Sequence, residues 1–138
     1  MNRFDFQRLA ELRVKEAEVL LGQGYFDGAY YLLGYAVECA FKACIARQTK
    51  QYDFPPERKA IEAIYQHDPI KLLKASGLEG DHEIEMQANS TFADNWKIVQ
   101  VWSEQLRYQI GKSEAEVKDF YTAVVSDEGV LSWVKKYW

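Results

Sequence analysis

Apolar residues near the start of the chain recur every three or four positions, which is the spacing of one face of an α-helix. This pattern predicts a first helix over residues 4–21, and the GQG triplet at 22–24 is a signal for its end. Residues 25–49 contain no proline and predict a second helix. At 1.5 Å per residue this helix would be about 37 Å long, which is typical of an up-and-down helical bundle.

Proline and capping residues divide the rest of the chain into shorter helices. The double proline that opens residues 55–65 favours a short helix there, because proline is tolerated in a first helical turn. Asp68 before Pro69 predicts the N-cap of the next helix, and Gly77 predicts its end. The S-x-x-E capping box at 113–116 predicts the start of a further helix.

Helical periodicity also extends over residues 81–110, although the polar segment 89–91 can break or kink it. The closing segment VLSWVKKYW predicts a last short amphipathic helix. No segment alternates between apolar and polar residues as a strand does. The predicted fold class is therefore all-α, an up-and-down helical bundle of four main helices plus short helices, in a single domain over residues 1–138.

Steps of about 100° per residue place one polar stripe along the second helix, whereas nearly every other position on it is apolar. The stripe consists of Asp27, Tyr31, Gly34, Glu38, Lys42, Ile45 and Thr49. We expect the bundle core to leave this stripe free. It is either a solvent-facing side, with Glu38 and Lys42 as an ion pair contributing about 0.2–0.5 kcal/mol, or a subunit interface or ligand groove. Gly34 favours the second interpretation, because a glycine inside a helix costs about 1 kcal/mol unless a neighbour approaches closely.

The composition is that of a globular protein, with 48% hydrophobic and 28% charged residues in 138. The net charge of −4 removes any global electrostatic argument for binding nucleic acid or an anionic membrane. The apolar runs are shorter than the ~20 residues of a membrane span, so we expect a soluble, cytoplasmic protein. Cys39 and Cys44 would point about 140° apart on a helix, which predicts two buried free thiols.

One face of the segment 81–110 carries side chains within about 60° of one another that could line a pocket, namely Trp96, Gln100, Ser103 and Arg107. An arginine beside a tryptophan can hold a phosphate or stack on a base, because the guanidinium is planar and permanently charged. In the alternative interpretation, the tryptophans of this segment belong to the core, and Arg107 extends along the surface or pairs with Glu104.

The two histidines are the other candidates for residues of a functional site. His67 precedes Asp68, so it is either a general base positioned by a carboxylate or a loop residue that makes a cap-like hydrogen bond. His82 lies in the polar segment GDHEIE, where a solvated surface position is expected. Two histidines with dispersed carboxylates match no metal-ligand spacing, and no glycine-rich phosphate loop is present. The sequence therefore predicts neither a metal nor a cofactor.

Four segments that together cover most of the chain carry a family resemblance: GQGYFDGAYYLLGYAVECAFKACIA, YQHDPIKLLKASGL, NWKIVQVWSEQLRY and GVLSWVKKYW. They resemble the HEPN family, the nucleotide-binding domains of higher eukaryotes and prokaryotes. The strongest part is the block AYYLLGYAVE-x-x-x-K, which contains Glu38 and Lys42. The tryptophan-containing blocks are similar to one prokaryotic branch of that family.

The resemblance implies a bundle like the substrate-binding subunit of nucleotidyltransferases, paired as a homodimer through its long helices. It also implies association with nucleotides or RNA and, in many members, a toxin role beside a small nucleotidyltransferase antitoxin. Active HEPN ribonucleases are metal-independent and carry an arginine, four to six residues, then a histidine. In this chain no histidine follows Arg107 and Tyr108, and Arg58 lies too far before His67, so the ribonuclease motif is absent.

The leading functional hypothesis is a non-catalytic HEPN-like homodimer that binds a nucleotide, an RNA or a nucleotidyltransferase-type partner. Its grooves would be lined by Glu38, Lys42, Trp96 and Arg107, with Tyr31, Gly34 and Ser103 beside them. A second hypothesis is a metal-independent RNase toxin with a degenerate motif, in which Arg107, Tyr108 or His67 performs the acid–base and phosphate chemistry. A third is a purely structural homodimer whose stripe is only an interface.

Overall fold

The computed structural model describes residues 1–48 and 58–138, and these two parts are helical and contain no strand. The helices are α1 (Arg3–Gly22), α2 (Phe26–Gln48), α3 (Arg58–Ile64), α4 (Pro69–Ala75), α5 (Glu79–Ala88), α6 (Ser90–Val99), α7 (Glu114–Val125) and α8 (Val130–Val134), with a 3₁₀ helix at Glu104–Tyr108. The predicted all-α helical bundle is confirmed for the described residues. The predicted end of the second helix at Thr49 and the double proline at 55–56 lie outside them.

α1 and α2 pack along each other and are joined by residues 23–25, so they run antiparallel. Asn2 begins α1 with a capping box: its Oδ1 accepts a hydrogen bond from the Asp5 amide at 3.0 Å, and the Asp5 carboxylate accepts one from the Asn2 amide at 2.9 Å. In the connection Gly24 has a φ of 82°, which a residue without a Cβ adopts at little cost. Among the helices within the described residues, none is long and apolar enough to cross a membrane.

α2 is the central helix of the bundle, because α1, α4, α7, α8 and the 3₁₀ helix all pack against it. Its side chains are buried on most sides, as its apolar sequence predicted. Phe41 of α2 is fully buried in the same core as Phe92 of α6 and Phe120 of α7. Cys39 and Cys44 are both buried and free, as predicted.

The expectation that the core leaves the polar stripe of α2 free is wrong for the middle of the helix. Gly34, Glu38 and Ile45 are buried. The indole of Trp102 lies over Gly34, and the loop between α3 and α4 brings His67 onto Glu38. A helical wheel assigns an angle to each residue, but it carries no information about which distant segment covers that angle.

The helical pattern over 81–110 is divided between α5, α6 and the 3₁₀ helix, so a single continuous helix does not form there. α5 ends before Asn89, whose Oδ1 accepts a hydrogen bond from the Phe92 amide at 3.0 Å and so caps α6. This break falls in the polar segment 89–91, where the sequence analysis allowed a break or a kink. α6 ends at Val99, and the chain regains a helical turn only after Ser103, whose hydroxyl caps the 3₁₀ helix.

Because of these interruptions, Trp96 and Arg107 do not share one face, and the predicted pocket wall does not form. Trp96 is buried in the core with the edge of its ring against Phe41. Arg107 is exposed on the 3₁₀ helix. The alternative interpretation, in which the tryptophans of this segment belong to the core, is confirmed, since Trp102 is buried as well.

The capping signals predicted two later helix starts correctly. Asp68 Oδ1 accepts a hydrogen bond from the Ile70 amide at 2.8 Å at the start of α4. Ser113 Oγ accepts one from the Glu116 amide at 3.1 Å at the start of α7. Gly77, the predicted stop signal, follows α4 with a φ of 74°. Local sequence decided these positions because each cap satisfies backbone groups only two or three residues away.

The expectation of a solvated surface position for His82 is wrong. Its residue exposure is 8%, and its ring packs edge-on against Phe92, Trp96 and Trp133 with centroid distances of 5.8, 4.5 and 5.7 Å. Its Nε2 is buried without a hydrogen-bond partner in the part of the chain that the structure describes. Burial lowers the pKa of His82, so the ring is held neutral inside an aromatic cluster.

We expect the His82→Phe variant to lose less stability in acid than the wild-type chain. Because the pKa of His82 is lowered in the folded chain, the unfolded chain binds more protons as the pH falls below the ordinary value of about 6.5. The stability contributed by neutral His82 is therefore complete above that pH and lost below it. Urea unfolding at about pH 7.5 and about pH 5 measures the loss in each chain. Equal losses in both would contradict the assignment.

Candidate functional site

The most unusual polar group of the bundle is the carboxylate of Glu38, in the middle of α2. The exposed fraction of its side chain is 2%. Its Oε1 accepts a hydrogen bond from Lys42 Nζ at 2.7 Å, and both carboxylate oxygens lie 3.0 Å from Nδ1 of His67. Lys42 is itself only 11% exposed and also donates to the carbonyl oxygen of Ile64 at 3.0 Å. We call Glu38, Lys42 and His67 the carboxylate cluster.

The loop between α3 and α4 delivers His67 to this cluster. The Gln66 side-chain oxygen accepts hydrogen bonds from the amides of His67 and Asp68, both at 3.3 Å. The Asp68 carboxylate caps α4, and Lys42 holds the last residue of α3. The sequence suggested that the Asp68 carboxylate positions His67. In the structure the Glu38 carboxylate contacts His67, and Asp68 caps α4. A partner 29 residues away cannot be identified from neighbours in the sequence.

The geometry determines which tautomer His67 adopts. An ionised carboxylate only accepts hydrogen bonds, so the proton of the neutral imidazole must be on Nδ1, and Nε2 carries a lone pair. The side chain of His67 is 40% exposed, whereas Glu38 behind it is sealed from solvent. The arrangement resembles a base oriented by a buried carboxylate, and it leaves the lone pair on Nε2, the ring nitrogen that does not contact Glu38.

A second group of side chains lies nearer the start of α2. Tyr31 stacks on Tyr35 with ring centroids 6.1 Å apart and lies 5.9 Å from the indole of Trp102. The guanidinium carbon of Arg107 lies 4.8 Å from the ring centroid of Tyr108, which is 72% exposed. We call these five residues the Arg107 patch.

Arg107 remains a permanent cation in this patch. The neighbouring phenol of Tyr108, and to a lesser degree that of Tyr31, raise the pKa of the guanidinium above its usual range. Within the described residues it forms no ion pair with Glu104, so that part of the alternative interpretation is wrong. A cation stacked on an exposed ring presents one charge and one aromatic face to solvent.

Tyr35 is a member of the Arg107 patch that is also close enough to Glu38 of the carboxylate cluster to feel its charge. Its pKa is raised mainly by burial, and the nearby carboxylate of Glu38 adds to the shift, so its phenol stays neutral. Tyr31 and Glu38 are seven residues apart on α2, which corresponds to about 10 Å along the helix axis. The two groups therefore occupy adjacent positions along one edge of the central helix.

The cysteine thiols and a small cavity are weaker candidates for a functional site than these two groups. Burial raises the pKa of the Cys39 thiol to about 12 and that of Cys44 to about 11, which leaves both as unreactive thiols. A cavity of about 120 Å³ is lined by residues that include Asp27, Tyr30, Lys112 and Glu116. It has room for only a few water molecules, and ligand pockets are usually about 300–1,000 Å³. The described residues contain no group of three potential ligands that could hold a metal ion.

The structure therefore brings together some of the sequence-predicted residues and separates others. Tyr31, Arg107 and Tyr108 meet in the Arg107 patch, and Glu38, Lys42 and His67 meet in the carboxylate cluster. Ser103 caps the 3₁₀ helix, Gly34 lies beneath Trp102, and Trp96 is in the core. Sequence reasoning missed Tyr35 and Trp102. The available signal for Trp102 was Gly34, because a mid-helix glycine indicates a close neighbour.

Comparisons with protein-family models, with curated proteins and with solved structures find no match to this chain.

Proposed function

We propose that this chain is a HEPN-type helical module without the ribonuclease motif, and that it binds a nucleotide or single-stranded RNA through the Arg107 patch. The observation that carries the proposal is the exposed guanidinium of Arg107 stacked on Tyr108 beside Tyr31. A guanidinium matches the geometry of a phosphate, and an exposed aromatic ring offers a face on which a base stacks. The family resemblance of the sequence supports the same class of ligand.

The proposal includes the assembly that the family resemblance implies. The module would pair as a homodimer in the cytoplasm and act beside a nucleotidyltransferase-type partner. The net charge of −4 offers no broad basic surface, so recognition must depend on a few contacts. A stacked base contributes about 1–3 kcal/mol, which makes one cation and two rings sufficient for a short ligand.

We expect the Arg107→Ala variant to bind a short fluorescein-labelled single-stranded RNA at least about tenfold more weakly than wild type, in fluorescence anisotropy titrations. Few phosphate contacts predict a shallow salt dependence, with a logarithmic slope of about −0.7 for each phosphate neutralised. The matched control is Arg58→Ala, since Arg58 is 92% exposed and pairs only within its own helix turn with Glu62 in the described structure. Equal weakening by both variants would show unspecific charge attraction and overturn the proposal.

The protein used for the titration also allows a test of whether the chain cleaves RNA. We expect RNA incubated with the protein and a metal chelator to remain intact over the time of the titration. Metal-independent cleavage that Arg107→Ala abolishes would replace this proposal with the RNase hypothesis. The Arg58→Ala protein should leave the RNA in the same state as wild type.

A further inference from the structure

His67 combines a partly exposed imidazole, 40% exposed, with a buried carboxylate, that of Glu38, which is 2% exposed. Nδ1 lies 3.0 Å from both oxygens of Glu38, so the ring cannot turn without losing both contacts. Lys42 holds the carboxylate from the other side at 2.7 Å. The ring is thus pre-oriented with Nε2 away from Glu38, and its orientation needs no further ordering when a reactant arrives.

The surroundings of His67 favour a nucleophile over a general base. A general base acts on a substrate held in a pocket that positions a proton within hydrogen-bond reach. The cavity of about 120 Å³ described above lies at the Asp27 end of α2, and its lining includes no member of the carboxylate cluster. An imidazole whose side chain is 40% exposed can instead attack a reactive group that is carried to it by a small molecule or a second protein.

We propose that Nε2 of His67 accepts a phosphoryl group from a donor of the phosphoramidate or acyl phosphate class. The Nε2 lone pair forms a bond to phosphorus while the bond between phosphorus and the leaving nitrogen or oxygen breaks. The leaving group departs as ammonia, from a phosphoramidate whose nitrogen is already protonated, or as a carboxylate from an acyl phosphate. The ring becomes an imidazolium that keeps its proton on Nδ1, so the step needs no additional acid, base, oxidant or metal.

Glu38 has a defined part in this step. As the ring gains positive charge, the hydrogen bond from Nδ1 to the carboxylate becomes charge-assisted and stronger. Because Glu38 is sealed from water, that interaction acts in a medium of low dielectric constant. Lys42 fixes the carboxylate in place, so Glu38 and Lys42 are positioning residues and His67 alone reacts. This inference does not depend on the proposed binding of nucleotides.

The test uses potassium phosphoramidate, a small donor that phosphorylates histidine. The full chain contains only His67 and His82, so His82→Phe leaves a single reactive histidine. We expect the intact mass of folded His82→Phe to rise by one phosphoryl group that is labile in acid and stable in alkali. The same variant unfolded in urea should react about tenfold more slowly, because its imidazole lacks the carboxylate. Equal rates in the folded and unfolded chain, or no labelling of the folded chain, would overturn the proposal.

Two further variants separate reactivity from stability. In the His82→Phe background, His67→Gln should not be labelled although its circular dichroism remains helical; labelling of that folded double variant would contradict the assignment. Glu38→Gln should slow labelling about tenfold. In ¹⁵N spectra of histidine, wild type should show the Nδ1–H tautomer for His67, and Glu38→Gln should show a mixture. An unchanged tautomer and an unchanged rate in Glu38→Gln would remove Glu38 from the mechanism.

Discussion

Replacing Gly34 with alanine is expected to lower the free energy of unfolding by about 3 kcal/mol. A Cβ at this position would overlap Nε1, Cδ1 and Cε2 of Trp102. These atoms belong to a rigid ring that is itself buried, so they cannot give way as the end of a flexible side chain would. Either α2 shifts within the core or the indole leaves it, and both responses sacrifice packing around the central helix.

Urea unfolding provides the measurement, and Gly80→Ala is the matched control. Gly80 is also helical, in α5, but no heavy atom lies within 4 Å of the Cβ that alanine would add. Alanine there should leave stability unchanged or raise it by up to about 1 kcal/mol, through the better helix propensity. A Gly34→Ala variant as stable as Gly80→Ala would show that Trp102 does not pack on Gly34. Because Gly34 is covered within the chain, its substitution does not test a subunit interface.

Replacing Glu38 with leucine is expected to destabilise the protein by about 3–5 kcal/mol, because it leaves the ammonium of Lys42 without its anion. Lys42 is only 11% exposed, so water cannot replace the lost carboxylate. The double variant Glu38→Leu/Lys42→Leu should lose less than the sum of the two single variants. The leucines add apolar burial where two desolvated charges stood.

The exposed pair Arg58 and Glu62 is the control for this double-mutant cycle. Their side chains are 92% and 63% exposed, and the pair has the same i,i+4 spacing as Glu38 and Lys42. Its coupling energy should be about 0.5 kcal/mol or less, because water screens exposed charges. Equal coupling energies for the buried and the exposed pair, measured from urea unfolding midpoints, would contradict the burial of Glu38.

The starts and ends of the helices followed from local chemistry. Asp68, Ser113 and Gly77 act on backbone groups within a few residues, so their positions were predictable from neighbours alone. The helical period continues across 89–91 although the chain breaks there, because the side chain of Asn89 accepts a hydrogen bond from the backbone of the next helix. Periodicity reports the buried face of a segment, but it does not report whether one helix or two present that face.

The candidate site was predictable only in part. The pairing of Glu38 with Lys42 followed from their spacing, and the structure confirms it with a 2.7 Å hydrogen bond. The burial of this pair could not be predicted, because the helical wheel indicated a face free of the core whereas the structure buries Glu38. The contact between His67 and Glu38 joins residues 29 apart through the packing of α3 and α4 against α2. Likewise, Arg107 meets Tyr31 only because the chain after α6 turns back over the central helix.

The sequence by itself determined that this protein is an all-α bundle with a long apolar helix at its centre, and it determined where most of the described helices begin. Those properties depend on residue spacing and on short-range hydrogen bonds, which a linear pattern contains. The tertiary structure decided which polar residues are sealed and which remain in contact with solvent. Contacts between segments that are far apart in the chain bury Glu38, leave His67 partly exposed and pack Trp102 on Gly34. Whether a residue is buried depends on which other segments pack over it, so burial is decided only when the helices pack together.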